Sequence, residues 1–237
     1  MTSGSDVAGE TVSALDRVSA RDKLASVLSA AAGGHFPPAD GRVTILGQPS
    51  DRDAGVIAFT AHAVVFADFD RSWISANLPA DDLSAPLSPP FLHLLSKQMG
   101  REPHSIDVLT CADPLPGPPP LELSELEPAI AGQPSHPRID RALNYRDDVR
   151  AWQTRGGVLM LGRGVAGRWE VAIEVDPDSR STGLGRQLAS AARHLVPADA
   201  VLWAQIAPGN SASLRAFLHA GFRPIGAEAL LSRKLPA

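Results

Sequence analysis

The sequence predicts a mixed α/β fold (α+β) on the basis of three observations. The last third of the 237-residue chain alternates short apolar strands with amphipathic helices, in the order β-β-α-β-α-β-β. Residues 40–112 follow the order β-β-β-α-β. Hydrophobic residues make up 44% of the chain and charged residues 20%, as in ordinary globular proteins. We therefore expect helices packed in layers against a sheet.

The first part of the chain, residues 1–34, is expected to be a tail followed by a helix. Residues 1–12 are small and polar, and we expect them to be disordered. Apolar residues recur at helical spacing from Ala14 to Ala32, and Gly33-Gly34 ends the predicted helix.

Residues 35–112 are expected to form an N-terminal α/β half without a cofactor motif. Strands are predicted at residues 55–59 and 63–66 from their apolar, β-branched content. A helix is predicted to begin at Ser88, which can cap it, with two prolines in its first turn. This helix leads into a predicted strand at residues 106–111.

A proline-rich segment at residues 113–120 is predicted to link two halves of the chain. Five of its eight residues are proline, which fixes φ and removes backbone donors. The second half, residues 121–237, is expected to begin with a helix at residues 137–153. The inner face of that helix would consist of Ile139, Ala142, Leu143, Val149 and Trp152.

The remaining predicted elements alternate to the end of the chain. Buried strands are expected at residues 157–162 and 168–175. They are followed by a helix at 183–195, a strand at 200–207, a helix at 211–220, a short strand near Phe222 and a strand at 228–234.

The segment from Gly162 to Gly167 matches the dinucleotide-binding pattern GxGxxG. That pattern must open a helix whose N-terminus receives the pyrophosphate. Here it precedes the alternating, β-branched segment 168–175, which predicts a strand. We therefore interpret this segment as a hairpin turn and not as a nucleotide site.

A second glycine-rich turn, residues 180–186, has the context that a phosphate site requires. An apolar strand precedes it, and an amphipathic helix with Leu184 and Leu188 on one face follows it. Gly183 and Gly185 lie where the chain enters that helix, so successive N–H groups can point at an anion. The turn by itself is equally compatible with a simple strand-to-helix connection whose arginines are solvated.

Two signatures of this half resemble those of the GCN5-related N-acetyltransferase (GNAT) superfamily. Residues 180–185, with the pattern RxxGxG after a strand, are similar to the family's motif A. Residues 210–222 are similar to its second signature, in which an asparagine is followed by a small residue, an aromatic residue and Gly-Phe. The resemblance covers roughly residues 137–235 in the C-terminal half, whereas the N-terminal half is not recognised.

The resemblance implies a mixed, mostly antiparallel sheet flanked by helices, and it leaves room for the N-terminal half to be a degenerate copy. It implies acetyl-CoA as cosubstrate, with the pyrophosphate on the backbone of the turn at 180–186. The pantetheine arm would lie between the strand ending at Val175 and the strand starting near Val201. The residues expected to contact coenzyme A are Ile173, Val175, Arg180, Ser181, Thr182, Gly183, Leu184, Gly185, Arg186, Asn210, Ser213 and Phe217.

Acetyl transfer needs a base that deprotonates the acceptor amine. Glu170 and Glu174 lie on the strand face opposite Val171, and roughly 13 Å of strand separates them, so both cannot serve one nitrogen. The placement of the base in the family favours Glu170 acting through a water. The alternative is that Glu170 forms an ion pair with a neighbour such as Arg168 or Arg163.

The sequence does not decide which group gives a proton to the departing thiolate. Many family members have tyrosine where this chain has Phe217, and a phenyl ring has no proton to give. Tyr145, the single tyrosine, could reach the cleft from another element. A water or no dedicated acid is an equal alternative, because a thiol with a pKa near 8.5 leaves readily.

We therefore expect an N-acetyltransferase that moves an acetyl group from acetyl-CoA to a primary amine of a small molecule or peptide. Transfer would proceed by direct attack in a ternary complex. The alternative is a non-catalytic acyl-CoA-binding regulatory module, which Phe217 in place of tyrosine favours. O-acylation and a longer acyl donor also stay open.

The composition argues against several other classes. A net charge of −4 gives no electrostatic reason to expect nucleic acid or an anionic membrane as partner. The seven histidines show no HxH or HxxxH spacing, so we expect no metal site. The single cysteine, Cys111, is expected to be a buried strand thiol, and the N-terminus does not resemble a signal peptide. We expect a cytoplasmic protein, and a homodimer is compatible with the sequence.

Overall fold

The computed structural model describes residues 14–79, 82–126 and 136–233, and the disorder expected of residues 1–12 lies outside them. The described helices are α1 (Ala14–Ala32), α2 (Arg71–Ala76), α3 (Pro89–Met99), α4 (Pro137–Tyr145), α5 (Leu184–Ala192) and α6 (Ser211–His219). The described strands are β1 (Val43–Leu46), β2 (Gly55–Phe59), β3 (His62–Phe66), β4 (Arg101–Ala112), β5 (Ser124–Leu126), β6 (Asp147–Thr154), β7 (Gly157–Arg163), β8 (Trp169–Val175), β9 (Leu202–Ile206) and β10 (Arg223–Arg233).

These strands form one sheet in the order β1-β3-β2-β10-β4-β9-β8-β7-β6-β5. Two neighbouring pairs run parallel, β1 with β3 and β8 with β9, and the other described pairs run antiparallel. The predicted fold class, a mixed and mostly antiparallel sheet flanked by helices, is confirmed.

Side-chain alternation along the strands divides the core between the two faces of the sheet. On one face, α1 packs on Ile57 and Trp203, and α4 packs on Met160. On the other face, α2 and α3 pack on Val56, and α5 and α6 pack on Leu159. The sheet is therefore the middle layer of three.

The strands of the two predicted halves interleave in this sheet. β10, the last strand of the chain, pairs with β2 on one side and with β4 on the other. β4 in turn pairs with β9, so the N-terminal half supplies a strand inside the C-terminal half. The proline-rich segment at 113–120 thus connects β4 to β5 within one sheet, and the degenerate-copy hypothesis stays a prediction.

The prediction of a helix over residues 137–153 is wrong for the second part of that range. α4 ends at Tyr145, and residues 147–154 form β6, which pairs with β7. Asp148 has a left-handed φ of 51°, which breaks helical continuation. Beyond it, the consecutive side chains of Ala151 and Trp152 pack in cores on opposite faces of the sheet, as side chains alternate in a strand. Leu143, predicted to face inward, is 47% exposed.

Most other predicted elements are present with small shifts in their bounds. α1 has the predicted bounds, and Ser88 caps α3 by accepting a hydrogen bond from the N–H of Phe91. The segment from Gly162 to Gly167 lies in the antiparallel connection between β7 and β8, as a hairpin turn should. The short strand predicted near Phe222 and the strand predicted at 228–234 are one continuous strand, β10.

Candidate active site

A gap opens in the sheet between β8 and β9. The two strands pair in parallel at Trp169 with Leu202 and at Glu170 with Trp203, and no further pair follows in the described strands. Beyond Glu170, β8 therefore has a strand partner only on its β7 side. The free edge of residues 171–175 leaves main-chain N–H and C=O groups available to a ligand.

A cleft of about 350 Å³ lies at this gap. Its walls come from α4 on one face of the sheet, α6 on the other, the diverging parts of β8 and β9, and β4. Six of the residues predicted from the sequence line it together: Tyr145, Glu170, Ile173, Asn210, Ser213 and Phe217. The fold thus joins residues that lie far apart along the chain.

The predicted phosphate turn at 180–186 and Val175 do not line this cleft; they lie at the end of β8 that leads into α5. Ser181 and Gly183 have left-handed φ values of 63° and 89°. Backbone N–H groups 181–185 form no hydrogen bond with another described residue, as expected of a helix N-terminus. Arg180 and Arg186 are both exposed beside them.

The turn reaches the cleft through its contact with α6. A Cβ atom added at Gly185 would lie 3.7 Å from side-chain atoms of both Val175 and Ala216. The start of α5 therefore lies between β8 and α6. At the start of α6, the side chain of Asn210 accepts a hydrogen bond from the N–H of Ser213, over 3.1 Å. One function of Asn210 is therefore to cap the helix that forms this wall.

Phe217 is a packing residue of the α6 wall. It is 4% exposed, and its ring meets that of Phe222 edge to face, with centroids 4.9 Å apart. Phe217 therefore packs beside the cleft, and its phenyl ring has no proton to give.

Glu170 lies at the centre of a buried ion network. Its carboxylate accepts hydrogen bonds from Nε of Arg168 over 2.8 Å and from Nε of Arg146 over 3.0 Å. The side-chain amide of Gln205 donates to it over 2.9 Å, and the N–H of Val165 over 3.3 Å. The ion pair with Arg168 is thus present, and the catalytic role of Glu170 stays a prediction.

This environment governs the acidity of Glu170. Burial alone would raise the pKa of the carboxyl group, but the charges and hydrogen bonds of Arg168 and Arg146 outweigh it and lower the pKa to about 2. Glu170 is therefore ionised at neutral pH, but it is a weak base whose oxygens already have donors.

Gly164 is the local feature that makes room for this carboxylate. A side chain at Gly164 would lie 2.2 Å from the carboxylate carbon of Glu170. The glycine-rich hairpin between β7 and β8 therefore has a steric reason for glycine at this position, which the nucleotide-binding pattern did not suggest.

Arg146 and two further members of the network were missed from the sequence. Glu228 on β10 accepts a hydrogen bond from Arg168 over 2.7 Å, and Gln205 on β9 donates to both Glu170 and Glu228. One oxygen of Glu228 is buried without a described hydrogen-bond partner, and burial raises the pKa of this carboxyl group. The sequence did carry one signal of a buried charge, because Glu228 lies between two alanines in an apolar strand.

Tyr145 enters the cleft from the last turn of α4. The guanidinium of Arg141 lies 5.7 Å from the centre of its ring. Tyr145 lines the cleft, as expected. Its role as an acid stays a prediction.

The described residues contain neither a metal-binding group nor a membrane-spanning helix. Among them, no three His, Cys, Asp or Glu side chains form a group that could hold a metal ion. None of the described helices combines the length and apolarity needed to cross a membrane. Cys111 is buried in β4, and burial raises the pKa of its thiol to about 11.

Comparisons with known proteins give matches among solved structures. No protein-family model matches the sequence, and no curated protein matches it. The chain is similar to a GCN5-related N-acetyltransferase from Kribbella flavida, at 18% identity and a TM-score of 0.37, over 62% of this chain and 65% of that one. It is also similar to an acetyltransferase of the GNAT family from Colwellia psychrerythraea, at 10% identity and a TM-score of 0.42, over 76% of this chain and 81% of that one.

This chain spans less than two thirds of the length of the Kribbella flavida protein. Both solved structures carry the name of the family that the two sequence signatures resemble. At these identities and TM-scores the likeness carries no argument about activity, which depends on the residues of the cleft.

Proposed function

We propose that this chain is an acetyl-CoA-dependent N-acetyltransferase that acetylates a primary amine. The observation that carries the proposal is the gap between β8 and β9, which opens next to the RxxGxG turn. A free strand edge, a helix N-terminus and a cleft are thereby adjacent, and a long cofactor with a charged end and a polar arm requires all three.

Coenzyme A would bind along this path in two parts. The N–H groups of residues 181–185 and the guanidinium groups of Arg180 and Arg186 would hold the pyrophosphate. The pantetheine arm would hydrogen-bond the free edge of β8 at Ile173 and Val175, in the manner of an added strand. Its thiol end would then reach the part of the cleft beside Phe217.

The reaction would be a direct transfer between two bound substrates. The amine nitrogen attacks the thioester carbon, the carbon–sulfur bond breaks, and coenzyme A leaves as a thiolate that takes a proton. Main-chain N–H near Ile173 would stabilise the developing oxyanion. Tyr145, which lines the same cleft, is the proposed proton donor to the thiolate.

Glu170 is the proposed acceptor of the amine proton, through a water. Its low pKa makes it a weak base that cannot keep the proton, so the proton would pass from the amine to a water beside Glu170 and on to bulk solvent. Replacing Glu170 by glutamine tests this directly, because an undiminished rate would remove Glu170 from the proton pathway.

The rival function is an acyl-CoA-binding regulatory module without turnover. Two observations favour it: Phe217 cannot donate a proton, and the Glu170 oxygens have protein donors. Calorimetry with coenzyme A and an assay for free thiol with acetyl-CoA and a panel of amines separate the two functions. Tight coenzyme A binding without thiol release on any amine would support the module.

A further inference from the structure

The cleft has opposite charges on two of its walls. One wall, from the start of β4 and the residues before β2, contributes Asp53, Ser105 and Asp107. The other wall, from α4, contributes Arg138 and Arg141. We call these the acidic wall and the basic wall of the cleft.

On the acidic wall, Asp107 is the carboxylate best placed for a ligand. Its chain neighbour Val108 pairs with Ile206, the last residue of β9, so Asp107 lies where the gap is open. The hydroxyl of Ser105 donates a hydrogen bond to one carboxylate oxygen of Asp107 over 2.7 Å. The side chain of Asp107 is only partly buried. Asp53 is more deeply buried and is bound by Ser50 and Arg52.

On the basic wall, Arg141 is the cation best placed for a ligand. Arg138 is paired with Glu174 over 3.0 Å, and Arg146, deeper in the cleft, is paired with Glu170. Among the described residues, no carboxylate lies within ion-pair distance of Arg141. Its guanidinium lies beside Tyr145, which is the proposed proton donor of the reaction.

Resting on the proposed function, we propose that the acceptor is a small zwitterion: a primary amine that carries a carboxylate, of amino-acid size. Its ammonium group would lie against Asp107 and its carboxylate against Arg141, which can bind a carboxylate through two parallel hydrogen bonds. The size follows from the cleft, since about 350 Å³ must hold both the thioester end of the cofactor and the acceptor.

The test is a set of matched acceptors assayed for thiol release with acetyl-CoA. The set contains the standard amino acids, the primary amide of each, and the decarboxylated amine of each. We expect at least one amino acid with a kcat/KM about tenfold or more above its own amide, which corresponds to roughly 1.4 kcal/mol. Arg141→Gln should remove that preference and leave the affinity for coenzyme A unchanged.

Two further variants sharpen the test. Asp107→Asn should lower kcat/KM for acids, amides and plain amines alike, because all of them present the same ammonium group. Arg71→Gln removes an exposed arginine of α2 that does not line the cleft, and it should change neither acceptor preference nor coenzyme A affinity.

The outcomes separate the acceptor class from the activity itself. Amides or decarboxylated amines that react as well as the acids, or a preference that survives Arg141→Gln, would overturn the zwitterion and leave the transferase standing. Coenzyme A binding with no amino acid acetylated, and none bound to the cofactor-loaded protein by calorimetry, also overturns it. Absence of coenzyme A binding removes the proposed function, and the acceptor class with it.

Discussion

Two glutamates at the gap share the guanidinium of Arg168, yet their pKa values move in opposite directions. Glu170 also receives donors from Arg146, Gln205 and Val165, which stabilise its ionised form. Glu228 has one oxygen without a described hydrogen-bond partner, so burial dominates. Glu170 has the charge of a second arginine, Arg146, beside it, whereas Glu228 is repelled by the charge of Glu170, and these charges decide the opposite signs of the two shifts.

Replacing Glu170 by glutamine should destabilise the protein in a pH-dependent way. Its folded pKa of about 2 lies below the ordinary value of 4.5, so its stabilisation is present above pH 4.5 and is lost as pH falls toward 2. We expect a loss of roughly 3 kcal/mol at pH 7, because the variant leaves buried arginine charge uncompensated. Urea unfolding at pH 7 and near pH 3 measures the difference.

The matched control for that variant is Glu125→Gln. Glu125 is half exposed and pairs with the exposed Arg150, so its loss should cost less than about 1 kcal/mol. A difference between the Glu170 variant and the wild type that stays constant from pH 7 to pH 3 would contradict the assigned pKa.

Replacing Tyr145 by phenylalanine should lower kcat by about tenfold to a hundredfold, toward the lower end of general-acid effects. The ring and its contact with Arg141 are kept, so the KM for acetyl-CoA should stay unchanged. Steady-state kinetics over a pH series provide the measurement. An unaltered kcat at every pH would leave the thiolate to depart without help from Tyr145.

At the scale of elements, the start of α5 has a backbone geometry that glycine provides at little cost. Gly183 has a φ of 89°, and a side chain built there meets nothing within 4 Å. Steric crowding of a side chain is therefore not the reason for glycine at this position. The left-handed turn directs the first N–H groups of α5 outward, where the proposed pyrophosphate site lies.

Replacing Gly183 by aspartate should lower the affinity for coenzyme A by at least about tenfold, because it adds a negative charge to an anion site. The backbone strain should also cost roughly 1–2 kcal/mol of folding free energy. Gly34→Asp is the matched control, since Gly34 has a φ of 84° and equally open surroundings beyond the end of α1. Calorimetry should show a loss of affinity for the first variant and none for the second.

At the scale of the whole molecule, the last strand holds the two predicted halves together. β10 lies between β2 and β4, and its buried residues Ala229 and Leu231 pack in the core that α2 and α3 cover. Without residues 1–120, β10 would lose the hydrogen-bonding partners on both of its edges. The C-terminal half would then expose strand edges and apolar surface.

A fragment of residues 121–237 should therefore lack a cooperative unfolding transition, whereas the full chain should show one transition by both far-UV circular dichroism and tryptophan fluorescence. Mixing the fragment with residues 1–120 should restore part of the signal. A fragment that unfolds cooperatively and gives a dispersed amide NMR spectrum would establish two independent domains.

Much of the local structure could be predicted from the sequence, because apolar periodicity, caps and glycines act over a few residues. α1 and the RxxGxG turn ahead of α5 are examples. The boundary between α4 and β6 could not, since residues 147–153 carry apolar side chains compatible with both periods. Pairing with β7 is what makes them a strand.

The sequence by itself determined the class of fold, the turn at 180–186 and the candidate residues along β8 and α6. Only the tertiary structure decided which charges meet. Glu170, Gln205 and Glu228 come from three strands, and apart from the neighbouring pair Arg168 and Glu170 their spacing along the chain carries no sign of the network. The same holds for the two charged walls of the cleft, because α4 and β4 are far apart along the chain and meet at the cleft only in the folded structure.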